Sequence, residues 1–375
     1  MDRDVTEGFS RRSHPETAVN GAELTLATTD AQAGTRSADE VLSDCRLLVE
    51  PALRAAVELL PASTRRIAGY HLGWWDREGN TGGAASSGKA IRSALILLTA
   101  QATRAAADAL PAALPAAVAV ELVHNSSLLH DDVIDNDATR RHRPTAWTVF
   151  GVGDAILTGN ALQMLACDVL SKGDSQAVLP ALRILGDAVQ NLLDGQCADL
   201  DLERRSDIDL DACAAMARGK TGVLMGCATA LGCLMAGGGA EQVEHFRQFG
   251  EHVGLAFQHT DDLLGIWGAP EVTGKPVYSD LRNRKKSLPV VYALTSDTPA
   301  GHELAALFQR GNPETHRDLV RAAALVAETG GRRWSQVQAD AELTSALRQL
   351  KSAAPQKTAE SELIALARLV VHRDH

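Results

Sequence analysis

One stretch constrains this chain more than any other. An apolar, helix-compatible run, Ser127-Leu128-Leu129-His130, ends in Asp131-Asp132-Val133-Ile134-Asp135-Asn136-Asp137. On a helix, residues i and i+4 share a face with Cβ atoms about 6 Å apart. Asp131 and Asp135 therefore project together, with Asp132 on their flank. Carboxylates so crowded repel one another unless a cation lies between them. A hard divalent ion with oxygen ligands, above all Mg²⁺ shared with a phosphate substrate, suits them. A merely solvated acidic helix end is the plainer alternative. A second aspartate pair in a similar apolar setting, Phe257-Gln258-His259-Thr260-Asp261-Asp262, favours the metal. The two pairs, each followed by basic residues, read as two jaws of a metal–diphosphate clamp.

The rest of the chain supplies helices to hold such jaws. Alanine and leucine dominate and aromatic residues make up only 4%, which favours helices over strands. No strand alternation or fixed-period repeat is present, so the expected fold is all-α, a large helical bundle. Pro51 should kink or restart the first helix, and Pro111 and Pro115 should interrupt the helix-forming run 93–130. The net charge of -10 argues against a nucleic-acid partner. Six cysteines, without a CxxC pair or zinc spacing, read as small core residues in a reducing compartment. No apolar run approaches the roughly 18–20 residues that span a bilayer, and no signal-peptide pattern opens the chain. A cytoplasmic protein is expected. Residues 1–36 are polar and aperiodic, an expected disordered N-terminal extension or docking segment. Ser37 and Glu40 form a capping box that opens an all-helical domain over 37–375.

Other candidates are weaker singly. Lys89 and Arg92, three apart after a loop, make an anion site at a helix start. Gln196 and Asp199 share a helix face amid apolar neighbours. Arg218-Gly219-Lys220-Thr221-Gly222 lacks the upstream glycine and strand of a P-loop. Beyond the second pair, a glycine-punctuated basic loop carrying Lys275, Asp280 and Lys285 could fold over an anion.

Together these residues resemble the trans-prenyl diphosphate synthases, or polyprenyl synthetases. The motifs run in that family's order from Gly88 to Ser287: GKxxR, HxxxxxxDDxxD, RR, GQxxDL, KT, QxxDD, GKP and KKS. The resemblance implies an isoprenoid synthase-type helical bundle with a deep central cavity. It implies condensation of an allylic diphosphate with isopentenyl diphosphate, about three Mg²⁺ ions per site, and a homodimer. Asp131 and Asp135 then match first-motif metal ligands supported by Asp132. Asp261, with Asp262 beside it, matches the ligand of a further ion, and Asp199 lines the same cavity with Gln196. Lys89, Arg92, His124 and Arg141 match the isopentenyl diphosphate site. Arg140, Lys220, Lys275 and Lys285 match the grip on the allylic diphosphate, and Thr221 and Gln258 flank the reacting carbons.

Two departures stand out. Gly265 replaces the carboxylate usual at the fifth position of the second motif, and His142-Arg143 replaces a glycine-containing stretch after Arg140-Arg141. The second adds bulk and charge near the isopentenyl site. Ser126 and Ser127, just before the first motif, are small and would face the growing chain. They leave room for geranylgeranyl diphosphate, with farnesyl diphosphate the second expectation. A class I terpene cyclase would need Ser and Glu at Gly265 and Ala269, and a catalytically silent subunit is the remaining alternative. An extension such as 1–36 also resembles that of synthases carried as encapsulin cargo, docked inside a shell.

Overall fold

The fold comes from a computed structural model, which describes residues 35–81, 90–172, 176–205, 209–270, 276–310 and 315–372. Nearly all of the extension expected over 1–36 lies outside them. Arg36 belongs to the helical unit, Arg36–His375, where it pairs with Glu362 at 2.7 Å and Asp44 at 3.0 Å.

The capping box appears as expected. The Ser37 side chain accepts from the Glu40 backbone and the Glu40 carboxylate accepts from that of Ser37. It opens α1 (Ala38–Val57), whose buried face, Val41, Cys45, Val49 and Leu53, recurs at helical spacing. Then follow α2 (Ala62–His71), α3 (Ile91–Thr103), α4 (Ala106–Ile134), α5 (Ala146–Phe150) and α6 (Val152–Ser171). Next come α7 (Val178–Arg204), α8 (Leu210–Ala217), a π-helical turn (Arg218–Gly222), α9 (Val223–Met235) and α10 (Ala240–Trp267). The C-terminal part comprises α11 (Ser279–Arg282), α12 (Leu288–Leu294), α13 (Pro299–Gln309), α14 (His316–Glu328), α15 (Gly331–Ser352) and α16 (Lys357–Val371). The main core packs α3, α4, α6, α9, α10 and α15 on one another. A smaller core gathers Ile266, Leu281, Val290, Leu304, Leu319 and Val326 at the end of α10.

Several local expectations fail for tertiary reasons. Pro51 lies inside α1, and Pro111 and Pro115 inside α4. An interior proline costs a helix roughly 3 kcal/mol. In α4 the buried face Ala109, Ala113, Ala116, Ala117 and Val120 outweighs it. α4 also contains a span, Ala107–Ile134, long and apolar enough to cross a membrane, contrary to the sequence reading. It is apolar because α3, α6 and α9 surround it. Strands are not wholly absent: Thr139–Arg140 pairs antiparallel with Arg143–Pro144. Between them Arg141 (φ 52) and His142 (φ 60) are left-handed, as a tight two-residue hairpin turn demands. Of the cysteines, Cys45, Cys213, Cys227 and Cys233 are buried, whereas Cys167 and Cys197 are exposed.

Candidate active site

The first acidic jaw is the C-terminal end of α4. Burial raises the Asp131 and Asp135 carboxyls above their ordinary value, with Lys220 the main opposing charge at both. Asp132 behaves differently. It is 1% exposed and accepts a hydrogen bond from Arg140 Nε at 2.6 Å, while burial pushes its carboxyl up to about 6. Its Oδ2 has no partner among the described residues. The neighbour of Asp131 is thus a buried anchor for Arg140.

The second jaw repeats this division. Asp261 is exposed on α10. Asp262 is 3% exposed and accepts from Gln258 Nε2 at 2.7 Å and from the Leu288 backbone N–H at 2.8 Å. Burial pushes it up to about 7. Gln258 in turn accepts from the Thr221 hydroxyl at 2.6 Å. One hydrogen-bonded chain therefore ties the π-helical turn, α10 and the start of α12.

That turn presents the cations. Lys220 Nζ lies 2.7 Å from Asp199 Oδ2. Burial opposes its charge, yet Asp131 and Asp199 hold its pKa above the ordinary lysine value. Close backbone approach makes the pairing possible. A Cβ on Gly195 would come within 2.6 Å of the Lys220 backbone nitrogen, and one on Gly254 within 2.7 Å of Gly222 Cα. Glycines thus clamp the turn between α7 and α10, and the extra residue of a π-turn, a device common at functional sites, re-aims Lys220 and Thr221. Lys285 is a second half-buried cation. Burial opposes its charge, but Asp280, Asp262, Asp261 and Asp199 keep it protonated, and it acts in turn on Asp135 of the first jaw. Gln196, on the same helix as Asp199, is buried with Nε2 unpartnered among the described residues.

The expected isopentenyl side forms a separate cavity lined by Arg46, Glu50, Arg92, Glu121, His124 and Arg141. Arg92 Nη1 lies 3.3 Å from His124 Nε2. Burial, then Arg92 and Arg141, push His124 well below the usual imidazole range. The ring is therefore neutral and can accept from the guanidinium. Arg46 and Glu50 from α1 were not foreseen, nor was His71, which lines a second cavity with Asp132, Arg140 and Arg141 and which burial and Arg140 lower to about 3. They lie on α1 and α2, far along the chain from any motif, and only helix packing brings them in. Arg143 donates to the carbonyls of Tyr70 (3.2 Å) and Trp75 (3.0 Å), so it fastens the hairpin to the end of α2 and the loop after it. Ser126 is fully buried, while the Ser127 hydroxyl folds back onto the His124 carbonyl at 2.8 Å. Lys89 and Lys275 lie outside the described residues.

Among the described residues no three His, Cys, Asp or Glu side chains close into a metal-binding group. The hard carboxylate oxygens of Asp131, Asp135 and Asp261 still fit Mg²⁺, which takes few protein ligands and completes its shell with water and phosphate.

The polyprenyl synthetase family model matches residues 82–326. The chain is 43% identical to a (2E,6E)-farnesyl diphosphate synthase of Mycobacterium tuberculosis, over 92% of this chain and 96% of that one. It is also 43% identical to a geranylgeranyl diphosphate synthase of the same species, over 93% and 97%. The crystal structure of a polyprenyl synthetase from Streptomyces coelicolor A3(2) superposes with a TM-score of 0.84 at 41% identity, covering 88% of this chain and 99% of that one. A geranylgeranyl pyrophosphate synthetase from Pyrococcus horikoshii gives 0.79 at 26% identity, covering 90% and 99%. These likenesses carry the assignment: the chain belongs to the polyprenyl synthetase family and is a transferase.

Proposed function

We propose that this enzyme condenses an allylic diphosphate with isopentenyl diphosphate in an Mg²⁺-dependent reaction, giving geranylgeranyl diphosphate, with farnesyl diphosphate as the rival product. The observation that carries the reading is Lys220 of the π-helical turn, held 2.7 Å from Asp199, with neighbouring Thr221 bonded through Gln258 to the second acidic pair. Such an arrangement suits a diphosphate that gains negative charge as its allylic C–O bond breaks. Asp131, Asp135 and Asp261 would hold Mg²⁺, which would neutralise that developing charge. Lys220, Lys285 and Arg140 supply fixed positive charge to the leaving diphosphate. The Thr221 hydroxyl and Gln258 turn polar oxygens toward the adjacent allylic cation. Arg92, Arg141 and neutral His124 orient the isopentenyl diphosphate so that its double bond meets that cation; positioning supplies much of the rate. The departing diphosphate takes the proton released as the new double bond forms.

The small side chains Ser126 and Ser127 favour the longer product. Incubation with Mg²⁺, labelled isopentenyl diphosphate and each allylic primer in turn, followed by chromatography, tests the reading. Geranylgeranyl diphosphate is expected. No elongation from any primer, or hydrocarbon from an allylic diphosphate alone, would overturn it. Exposed Ile156, Leu157 and Met164 on α6 with Leu193 on α7 suit a homodimer, measurable by light scattering. Cytoplasmic location and shell docking through 1–36 belong to the same proposal. Deleting the extension should abolish shell co-purification and leave turnover intact.

A further inference from the structure

Helix α10 carries a histidine at every seventh residue over its second half, His245, His252 and His259, and the chemistry above uses none of them. Seven residues are two helical turns, so all three share one face. On that face each ring meets a polar partner from α15. His245 Nδ1 lies 2.9 Å from Gln349 Oε1, His252 Nδ1 2.5 Å from Glu342 Oε2, and His259 Nδ1 2.9 Å from Ser335 Oγ. The partners descend by seven as the histidines ascend. The two helices therefore run antiparallel, and the pairs are the rungs of a ladder along their seam.

The spacing selects one alignment. Four residues on from each partner, α15 places Ala339, Ala346 and Ala353, all buried. A slip of one turn in that sense would set every imidazole against a methyl group and strand its ring nitrogen, whereas an apolar seam would tolerate the slip. Gln242 Nε2 closes the far end on the Ala353 carbonyl at 2.9 Å. The near end is the most buried: His259 is 7% exposed and Ser335 0%. There Trp334 packs edge-on against the His259 ring at 5.4 Å and stacks on Tyr292 of α12. This last rung lies two residues before Asp261, about 200° around the helix. Asp261 thus faces away from α15, and a one-turn slip would carry it about 5.4 Å along the axis.

We propose that the histidine ladder is a positioning device: His245, His252 and His259 fix the register of α10 on α15 and so hold Asp261 at the height where it engages the metal–diphosphate. Polar rungs between packed helices specify alignment at some cost in stability. The proposal rests on the reading of Asp261 as a ligand of the Mg²⁺-bound diphosphate.

The test measures, on the full chain, the urea midpoint, the dissociation constant of Mg²⁺-pyrophosphate by calorimetry, and KM for each substrate. In a first variant all rungs are made apolar: His245→Leu, His252→Leu and His259→Leu with Gln349→Leu, Glu342→Leu and Ser335→Ala. Its urea midpoint should match or exceed that of wild type. It should nevertheless bind Mg²⁺-pyrophosphate about tenfold or more weakly. KM for the allylic diphosphate should rise similarly, with that for isopentenyl diphosphate within about twofold. Carrying His252→Glu and Glu342→His in place of the two leucines of the middle rung should recover most of the loss, because the pair is restored in reversed order. A second variant, His252→Glu alone, opposes two carboxylates at a half-buried rung and carries the test where the first does not fold. It should weaken Mg²⁺-pyrophosphate about threefold, and adding Glu342→His should return the wild-type value. Unchanged binding in a folded variant, a loss that the reversed pair does not recover, or a loss that merely follows the urea midpoint would overturn the proposal. A chain that elongates no primer but loses Mg²⁺-pyrophosphate on mispairing fails the functional reading and keeps this one. Normal elongation with binding unmoved does the reverse.

Discussion

Replacing Asp262 with asparagine should reverse its effect on stability between acid and alkaline pH. Asp262 is 3% exposed and accepts two hydrogen bonds, from Gln258 and Leu288. Asparagine has one acceptor oxygen and so leaves one buried donor unmet, a pH-independent cost of about 1–3 kcal/mol. Against this stands the cost of burying the charge. The folded carboxyl titrates at about 7 rather than the ordinary 3.8. The folded state thus binds more protons than the unfolded state between those values, so wild-type stability falls as pH rises through that window. At about 1.4 kcal/mol per unit, the accumulated loss approaches roughly 4 kcal/mol above pH 7. Asparagine carries no such loss. The variant should be the less stable protein near pH 4.5 and the equal or more stable one near pH 8. Urea titrations of both proteins in Mg²⁺-free buffer across that range measure the difference. A constant deficit at every pH would refute the assignment of Asp262 to a buried, structural carboxylate.

The exposed partner should respond oppositely. Asp261→Ala should leave stability within about 0.5 kcal/mol while turnover falls on the order of 10²–10³-fold; matched melting and turnover assays separate the two effects. Gly195→Ala should cost about 1–3 kcal/mol and lower turnover as well, since the added methyl forces the Lys220 backbone away from α7; calorimetric melting and kcat check it. His142→Gly should stabilise the chain by about 1 kcal/mol by relieving a left-handed histidine at φ 60; a lowered melting temperature would contradict it. His71, held neutral with a pKa lowered to about 3, adds stability that is present above pH 6.5 and is lost as pH falls toward 3. His71→Gln should flatten that acid-side decline in a pH series of urea titrations.

What the residues declared alone were the periodic and the local features: the capping box at Ser37, the all-α class, the shared face of Asp131 and Asp135, and the motif order that carries the family. Helical spacing is a property of the chain itself, so these needed no partner. Packing decided the rest. Asp131 and Asp132 are equivalent as letters, as are Asp261 and Asp262. The bundle exposes Asp261, leaves Asp131 beside Lys220, and locks Asp132 and Asp262 onto Arg140, Gln258 and Leu288. The prolines of α4 look like breaks until the neighbouring helices are counted. Gly265 stands open as a letter, and only the fold lays Asp280 of α11 against it. Each of these depends on what another, distant segment places alongside, and burial and contact between distant segments exist only once the chain has folded.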